Sequence, residues 1–232
     1  MVAVEGELLV AVISGVSEAA PPAAESLRDL MPDAKIWNLI DDRIVSDAVS
    51  RDEVTPHLAD RMARLVEHAR LEGAAAVLLT CSVYGTLAQE LSTRSGIPVI
   101  APDDDAMAIL ADSEFASIGV ISGVPLALRD SCSRLAAVLA SRGSTARVVP
   151  LLASSARLPS LALDMTRTLE ALSEAIGARA PELDAVFLAN YTLSFAAAEL
   201  SRDMAMPVIT GPPAAAAAIC QSLVRLQSES PV

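Results

Sequence analysis

Ala76-Val77-Leu78-Leu79-Thr80-Cys81, running on to Ile97-Pro98-Val99-Ile100, aligns without a gap to Ala185-Val186-Phe187-Leu188-Ala189-Asn190, running on to Met206-Pro207-Val208-Ile209, at an offset of 109 residues. Val77, Leu79, Ala88, Glu90, Leu91, Ser92, Pro98, Val99 and Ile100 recur as Val186, Leu188, Ala197, Glu199, Leu200, Ser201, Pro207, Val208 and Ile209. Earlier in each half, Val12-Ile13-Ser14-Gly15-Val16 returns unchanged as Val120-Ile121-Ser122-Gly123-Val124, at an offset of 108. Nearly equal offsets over this length mark an internal duplication. One position of the repeat matters most for chemistry, and it is not repeated: Cys81 stands opposite Asn190.

Short apolar runs rich in β-branched residues alternate with longer amphipathic stretches, the pattern of an α/β chain with parallel sheets. Strands are expected at 8–14, 35–39, 75–80, 97–100, 117–122, 146–151, 184–189 and 206–209. Helices are expected at about 21–31, 54–72, 82–95, 103–113, 125–142, 161–179, 192–204 and 212–227. Each half then reads β-α-β-α-β-α-β-α, giving two pseudo-symmetric lobes, each with a four-stranded parallel sheet flanked by helices. Ligands of open parallel sheets bind beyond the carboxyl ends of the strands. The candidate positions are therefore Ser14-Gly15, Asn38 to Arg43 and Cys81-Ser82 in the first half, and Ser122-Gly123, Leu151-Leu152 and Asn190 to Thr192 in the second.

The chain of 232 residues carries a net charge of −12, which repels phosphate backbones and anionic membranes; nucleic acid and membrane partners are not expected. A small carboxylate substrate is compatible with that charge, because backbone dipoles bind anions locally. No apolar run reaches the ~18 residues of a membrane span, and Glu5 and Glu7 stand where a signal peptide would carry basic residues. A cytoplasmic location is expected. Three cysteines far apart in sequence give neither a disulfide framework nor metal-ligand spacing, so no metal is expected. Gly-rich phosphate loops, nucleotide fingerprints and nucleophilic triads are missing from the sequence.

A cysteine that ends an apolar strand and opens a helix, with a matching strand-to-helix turn 109 residues on, resembles the aspartate/glutamate racemase superfamily of amino-acid and hydantoin racemases, maleate isomerases and arylmalonate decarboxylases. The resemblance implies a cofactor-independent enzyme with its active site in the cleft between two similar lobes. It also implies that lobe one is 1–101 plus 212–232 and lobe two 102–211, the last helix crossing back. Racemases of the family use one cysteine from each lobe; Cys81 matches the first, and Asn190 occupies the place of the second. Thr192 stands where some members have histidine, and Ile13 where some have an acidic residue. The resemblance thus implies an isomerase of the racemase type, transferring a proton next to a carboxylate on a small carboxylic or amino acid through Cys81. The alternatives are a single-cysteine decarboxylase or cis-trans isomerase, and a non-catalytic carboxylate-binding protein. The oligomeric state, a homo-oligomer included, is left open.

Cys81 also has a physical case of its own, since the amides of Ser82, Val83 and Tyr84 at the following helix start should favour its thiolate; the bland alternative is a packed strand-end cysteine. Ser82, Tyr191 and Thr192 read either as binders of a carboxylate and its enediolate or as ordinary N-caps. Ser14-Gly15 and Ser122-Gly123 carry the same pair of readings. Asn190 transfers no proton at neutral pH but orients a substrate through hydrogen bonds or simply ends its strand. Asp41-Asp42-Arg43 reads as a solvated turn or as part of the site rim. Asp103-Asp104-Asp105 reads as helix-start capping. His57 and His68 share an exposed helix face with Arg61 and Arg64, and Cys132 and Cys220 are expected in the core.

Overall fold

Leu9–Ser14 (β1) is buried from Val10 onward, as a parallel strand must be when helices cover both faces of its sheet. The computed structural model describes residues 8–153 and 164–229. After β1 come α1 (Ala20–Leu30), β2 (Lys35–Ile40), α2 (Ile44–Arg51), α3 (Pro56–Leu71), β3 (Ala76–Leu79), a 3-10 stretch Ser82–Leu87, α4 (Ala88–Ser95) and β4 (Val99–Ile100). The second half follows with α5 (Asp104–Ala111), β5 (Ser117–Ser122), α6 (Pro125–Ser141), β6 (Arg147–Leu152), α7 (Met165–Gly177), β7 (Ala185–Leu188), a 3-10 stretch Tyr191–Ala196, α8 (Ala197–Met204), β8 (Val208–Thr210) and α9 (Gly211–Glu229). The expected helix over 161–179 begins at residues outside those described. Among the described residues no helix is long and apolar enough to cross a membrane.

The strands form two four-stranded parallel sheets of the same order, β2-β1-β3-β4 and β6-β5-β7-β8. Two compact units result, and the chain passes between them at Pro102/Asp103 and again at Gly211/Pro212. Inside each sheet the core is aliphatic: Ala76 to Leu79 and Ala185 to Leu188 are buried throughout. Each large side chain there contributes about 1.5–3 kcal/mol by leaving water.

The repeat is visible bond by bond. Val77 N–H donates to Pro98 O at 2.8 Å and Val186 N–H to Pro207 O at 2.9 Å, so each proline opens the last strand of its sheet and offers only the carbonyl it retains. Ser92 Oγ donates to Ile97 O at 3.0 Å and Ser201 Oγ to Met206 O at 2.8 Å. These paired serines tie the end of α4 or α8 to the residue before the proline, which explains their recurrence.

Two departures from the sequence reading bear on the site. Where helices 82–95 and 192–204 are expected, the chain first winds as 3-10 helix, over Ser82–Leu87 and Tyr191–Ala196, a tighter winding with poorer hydrogen-bond geometry than an α-helix. The two-turn α2 is additional. Its sequence, Ile-Val-Ser-Asp-Ala-Val-Ser-Arg, is rich in β-branched and short polar residues of modest helix propensity, and its contacts with the rest of its unit hold it.

Candidate active site

In the first unit, β1 and β3 are neighbours, with Ile13 opposite Leu79. Their carboxyl ends therefore bring Ser14-Gly15 beside Thr80-Cys81. Thr80 N–H donates to Ile13 O at 3.1 Å, and Thr80 Oγ1 donates to the buried Ser14 Oγ at 3.0 Å. The Ser14 hydroxyl is thus engaged by a residue that the sequence reading passed over. The expected signal lay in the repeat itself, where Thr80 is matched by Ala189.

Cys81 follows, half-buried and in no disulfide, at the head of the 3-10 stretch with Ser82 and Val83 both buried. One of the three amides expected to serve its thiol is spent elsewhere: Tyr84 N–H donates to Cys81 O at 3.1 Å, the i to i+3 bond that makes the turn 3-10. The Tyr84 ring is fully buried and its hydroxyl donates to Ile44 O at 2.8 Å. Burial first, and then the neighbouring Cys81 sulfur, raise the Tyr84 phenol well above its usual range. It stays protonated and acts as a donor.

Gly15 sits under the start of α2: a Cβ there would lie 2.2 Å from Val45 Cγ2. Only glycine permits that approach. The Asp41-Asp42-Arg43 segment is a structured turn, in which Arg43 N–H donates to Asp41 Oδ1 at 3.2 Å and Arg61 Nη2 to the same oxygen at 2.5 Å. Arg61 also donates to Asp47 Oδ2 at 3.0 Å, so the expectation that it merely shares an exposed face is corrected. His57 and His68 are exposed as expected, and His68 lies edge-on to Trp37 with ring centroids 5.3 Å apart.

In the second unit, Ser122 is buried and its Oγ donates to Asn190 Oδ1 at 2.7 Å, while accepting from Val124 N–H at 3.0 Å. The hydroxyl therefore caps the turn into α6 and pins the Asn190 amide, leaving the Asn190 NH2 group as its donor end. Gly123 is buried beside it. Tyr191 is buried, and burial, followed by Asp103 and Asp105, pushes its phenol well up. Thr192 is only 8% exposed, and among the described residues no group bonds its Oγ1. A buried hydroxyl without a partner costs roughly 1–3 kcal/mol, so this atom is suited to a ligand's polar group.

The acidic trio at the start of α5 is more than helix capping. Arg134 of α6 reaches Asp103 and Asp130 at 3.5 Å each and also pairs with Asp104. Burial alone would lower the Arg134 pKa, but Asp103 and Asp104 outweigh it and keep the guanidinium charged. Among the described residues no three His, Cys, Asp or Glu side chains are grouped to hold a metal. Cys132 and Cys220 are half-buried, where the helical spacing led us to expect core positions. Burial still pushes the Cys132 thiol up to about 11.

No family model matches the chain, and no curated protein matches it in sequence. Solved structures do match its fold. The aspartate racemase of Picrophilus torridus superposes with a TM-score of 0.74 at 15% identity, over 94% of this chain and 94% of that one. A glutamate racemase of Francisella tularensis in complex with D-glutamate gives 0.71 at 13% identity, over 97% and 84%. An unliganded arylmalonate decarboxylase gives 0.58 at 18% identity, over 93% and 92%. Two parallel four-stranded sheets of repeated order, each with its strand-to-turn junction, give this chain the fold of the aspartate/glutamate racemases and arylmalonate decarboxylases.

Proposed function

We propose that the chain is a cofactor-independent enzyme of the aspartate/glutamate racemase superfamily, acting at a carbon next to the carboxylate of a small carboxylic or amino acid. The observation that carries the reading is the unequal pair of strand-end junctions. Cys81 ends one, half-buried and within reach of solvent. Asn190 ends the other, held by Ser122. In this reading the two junctions have different tasks, Cys81 carrying the proton chemistry and Asn190 a hydrogen-bonding role. The Cys81 thiolate takes the α-proton, and the electron pair of the C–H bond passes into the carboxylate to give an enediolate. Return of a proton from the Cys81 thiol to the same face exchanges the hydrogen with retention, and inversion requires a second acid on the opposite face, a role the Asn190 amide does not fill. Polar groups at the junctions, among them Ser14, Gly15, Ser82, Val83, Ser122, Gly123, Tyr191 and Thr192, hold the carboxylate and the charge that develops on it. Chemistry of this kind needs no metal or organic cofactor, and an acidic chain of this composition suits the cytoplasm.

Asn190 favours a second reading. An amide transfers no proton at neutral pH, so one thiol serves one face of the carbon. A decarboxylase fits that arrangement: the carbon–carbon bond breaks, carbon dioxide leaves, and the enediolate carbon takes its proton from the Cys81 thiol. A panel of enantiopure amino acids, 2-hydroxy acids and substituted malonates in deuterated solvent, followed by proton NMR, tests the proposal. Wild type should incorporate deuterium at the α-carbon or release carbon dioxide from at least one class, and Cys81→Ala should lose at least about a hundredfold of that rate. Equal rates for wild type and Cys81→Ala on the substrate turned over would overturn the assignment of Cys81. Tight binding without turnover by either protein would leave a carboxylate-binding protein instead.

A further inference from the structure

The residues beneath Cys81 form a brace. Tyr84 N–H bonds Cys81 O at 3.1 Å, and the Tyr84 hydroxyl bonds Ile44 O at 2.8 Å, so one buried side chain joins the cysteine's turn to the first residue of α2. That end of α2 is fixed from two other directions. Ile44 N–H donates to Asp41 O at 3.2 Å and Asp41 N–H to Ser14 O at 3.0 Å, which ties the turn to the carboxyl end of β1. From α3, Arg61 spans Asp41 at 2.5 Å and Asp47 at 3.0 Å, one carboxylate ahead of α2 and one in its first turn. The residue aligned with Tyr84 in the second half is Leu193, which has no hydroxyl to reach a neighbouring helix. The duplication has kept the strand and the 3-10 turn in both halves. At this position of the turn the phenol, Tyr84, stands in the half that carries the thiol, and Leu193 in the other.

We propose that Tyr84 and Arg61 are positioning residues for Cys81: Arg61 clamps α2, α2 receives the Tyr84 hydroxyl, and Tyr84 holds the backbone turn that aims the thiol. The inference rests on the proposed function for what Cys81 does, and on the hydrogen bonds alone for what holds it. A guanidinium that grips two carboxylates at once is suited to this, since its planar fork fixes both directions together. Tyr84→Phe removes the hydroxyl and keeps the ring, so the core beneath the turn stays filled.

Hydrogen exchange by mass spectrometry on the whole chain, with the rate of Cys81 alkylation measured beside it, tests the brace. Tyr84→Phe and Arg61→Gln should each speed amide exchange across Ser82 to Gly85 by about tenfold and alter the Cys81 alkylation rate at least about fivefold as the turn loosens. Arg61→Lys should recover part of the loss by keeping the charge. Arg70→Ala, which removes an exposed pair with Glu67 on the same helix, should leave both readings at the wild-type value. Exchange over 82–85 unchanged in both Tyr84→Phe and Arg61→Gln, even with a lowered melting temperature, would overturn the brace. So would faster exchange with an unaltered Cys81 rate. Neither reading requires turnover, so an inert Cys81 would sink the proposed function while these measurements still decided the brace.

Discussion

Three cysteines are distinguished by their surroundings rather than by their exposure, since all are half-buried. Burial lifts the Cys132 thiol from 9.0 to about 11, so below pH 9 very little of it is thiolate, the form that attacks. Cys81 should therefore be alkylated by iodoacetamide well before Cys132 at pH 8, and Cys132 should gain reactivity only as the pH approaches 11; peptide mass spectrometry after limited treatment reads both. Gly15 yields a second prediction at this scale. Gly15→Ala should cost about 1–3 kcal/mol through the contact with Val45, and Val45→Ala in the same chain should recover most of it, as urea denaturation would show. The serine and glycine of this position were legible from the repeat and from their place at a strand end. Val45 was not, because its approach to Gly15 depends on a helix that the local sequence does not announce. Thr80 and Tyr84 lay in view as departures from the repeat, yet their roles depend on hydrogen bonds to Ser14 and Ile44 that are distant in sequence.

Among the elements, the eight strands were legible because short, mostly apolar runs bounded by helical patterns leave few alternatives. Helix α2 was not, because its residues favour helix weakly and its hold comes from Arg61 and Tyr84. The 3-10 openings were equally hidden: a run such as Ser-Val-Tyr-Gly-Thr-Leu carries helix-compatible residues, and its winding is set by the need to turn sharply off the strand end. The two halves also differ where α4 and α8 stop. Gly96 ends α4 at φ 72°, and its repeat partner Ala205 ends α8 at φ 49°, in the left-handed region where a Cβ costs about 1–2 kcal/mol. Ala205→Gly should accordingly stabilise the chain by about 0.5–1 kcal/mol once the added freedom of the unfolded glycine is set against the relief. Gly96→Ala should cost about 1 kcal/mol, and the two thermal denaturation shifts should have opposite signs. Arg134 belongs to this scale too, since it joins α5 to α6. Arg134→Leu leaves Asp103, which is fully buried, without that cation and should cost about 3–5 kcal/mol.

Over the whole molecule, duplication supplied two sheets of one order and two junctions of one shape, and divergence then gave the junctions different chemistry. A thiol with a braced turn stands in one, and an amide pinned by a serine, near a buried threonine hydroxyl, stands in the other. The family resemblance and the unequal pair were both readable from the aligned halves; the pinning of Asn190 by Ser122 was not, since nothing in the local sequence links residues 68 apart. The proposed function divides the work: one centre transfers protons while the other only holds. Proton NMR of an enantiopure substrate in deuterated solvent, with wild type beside Asn190→Cys and Asn190→Ala, addresses it directly. Wild type should exchange or deliver the α-proton on one face, Asn190→Ala should be slower without altered stereochemistry, and Asn190→Cys should add exchange on the second face. Racemisation by wild type as fast as by Asn190→Cys, at a rate unchanged in Asn190→Ala, would contradict it.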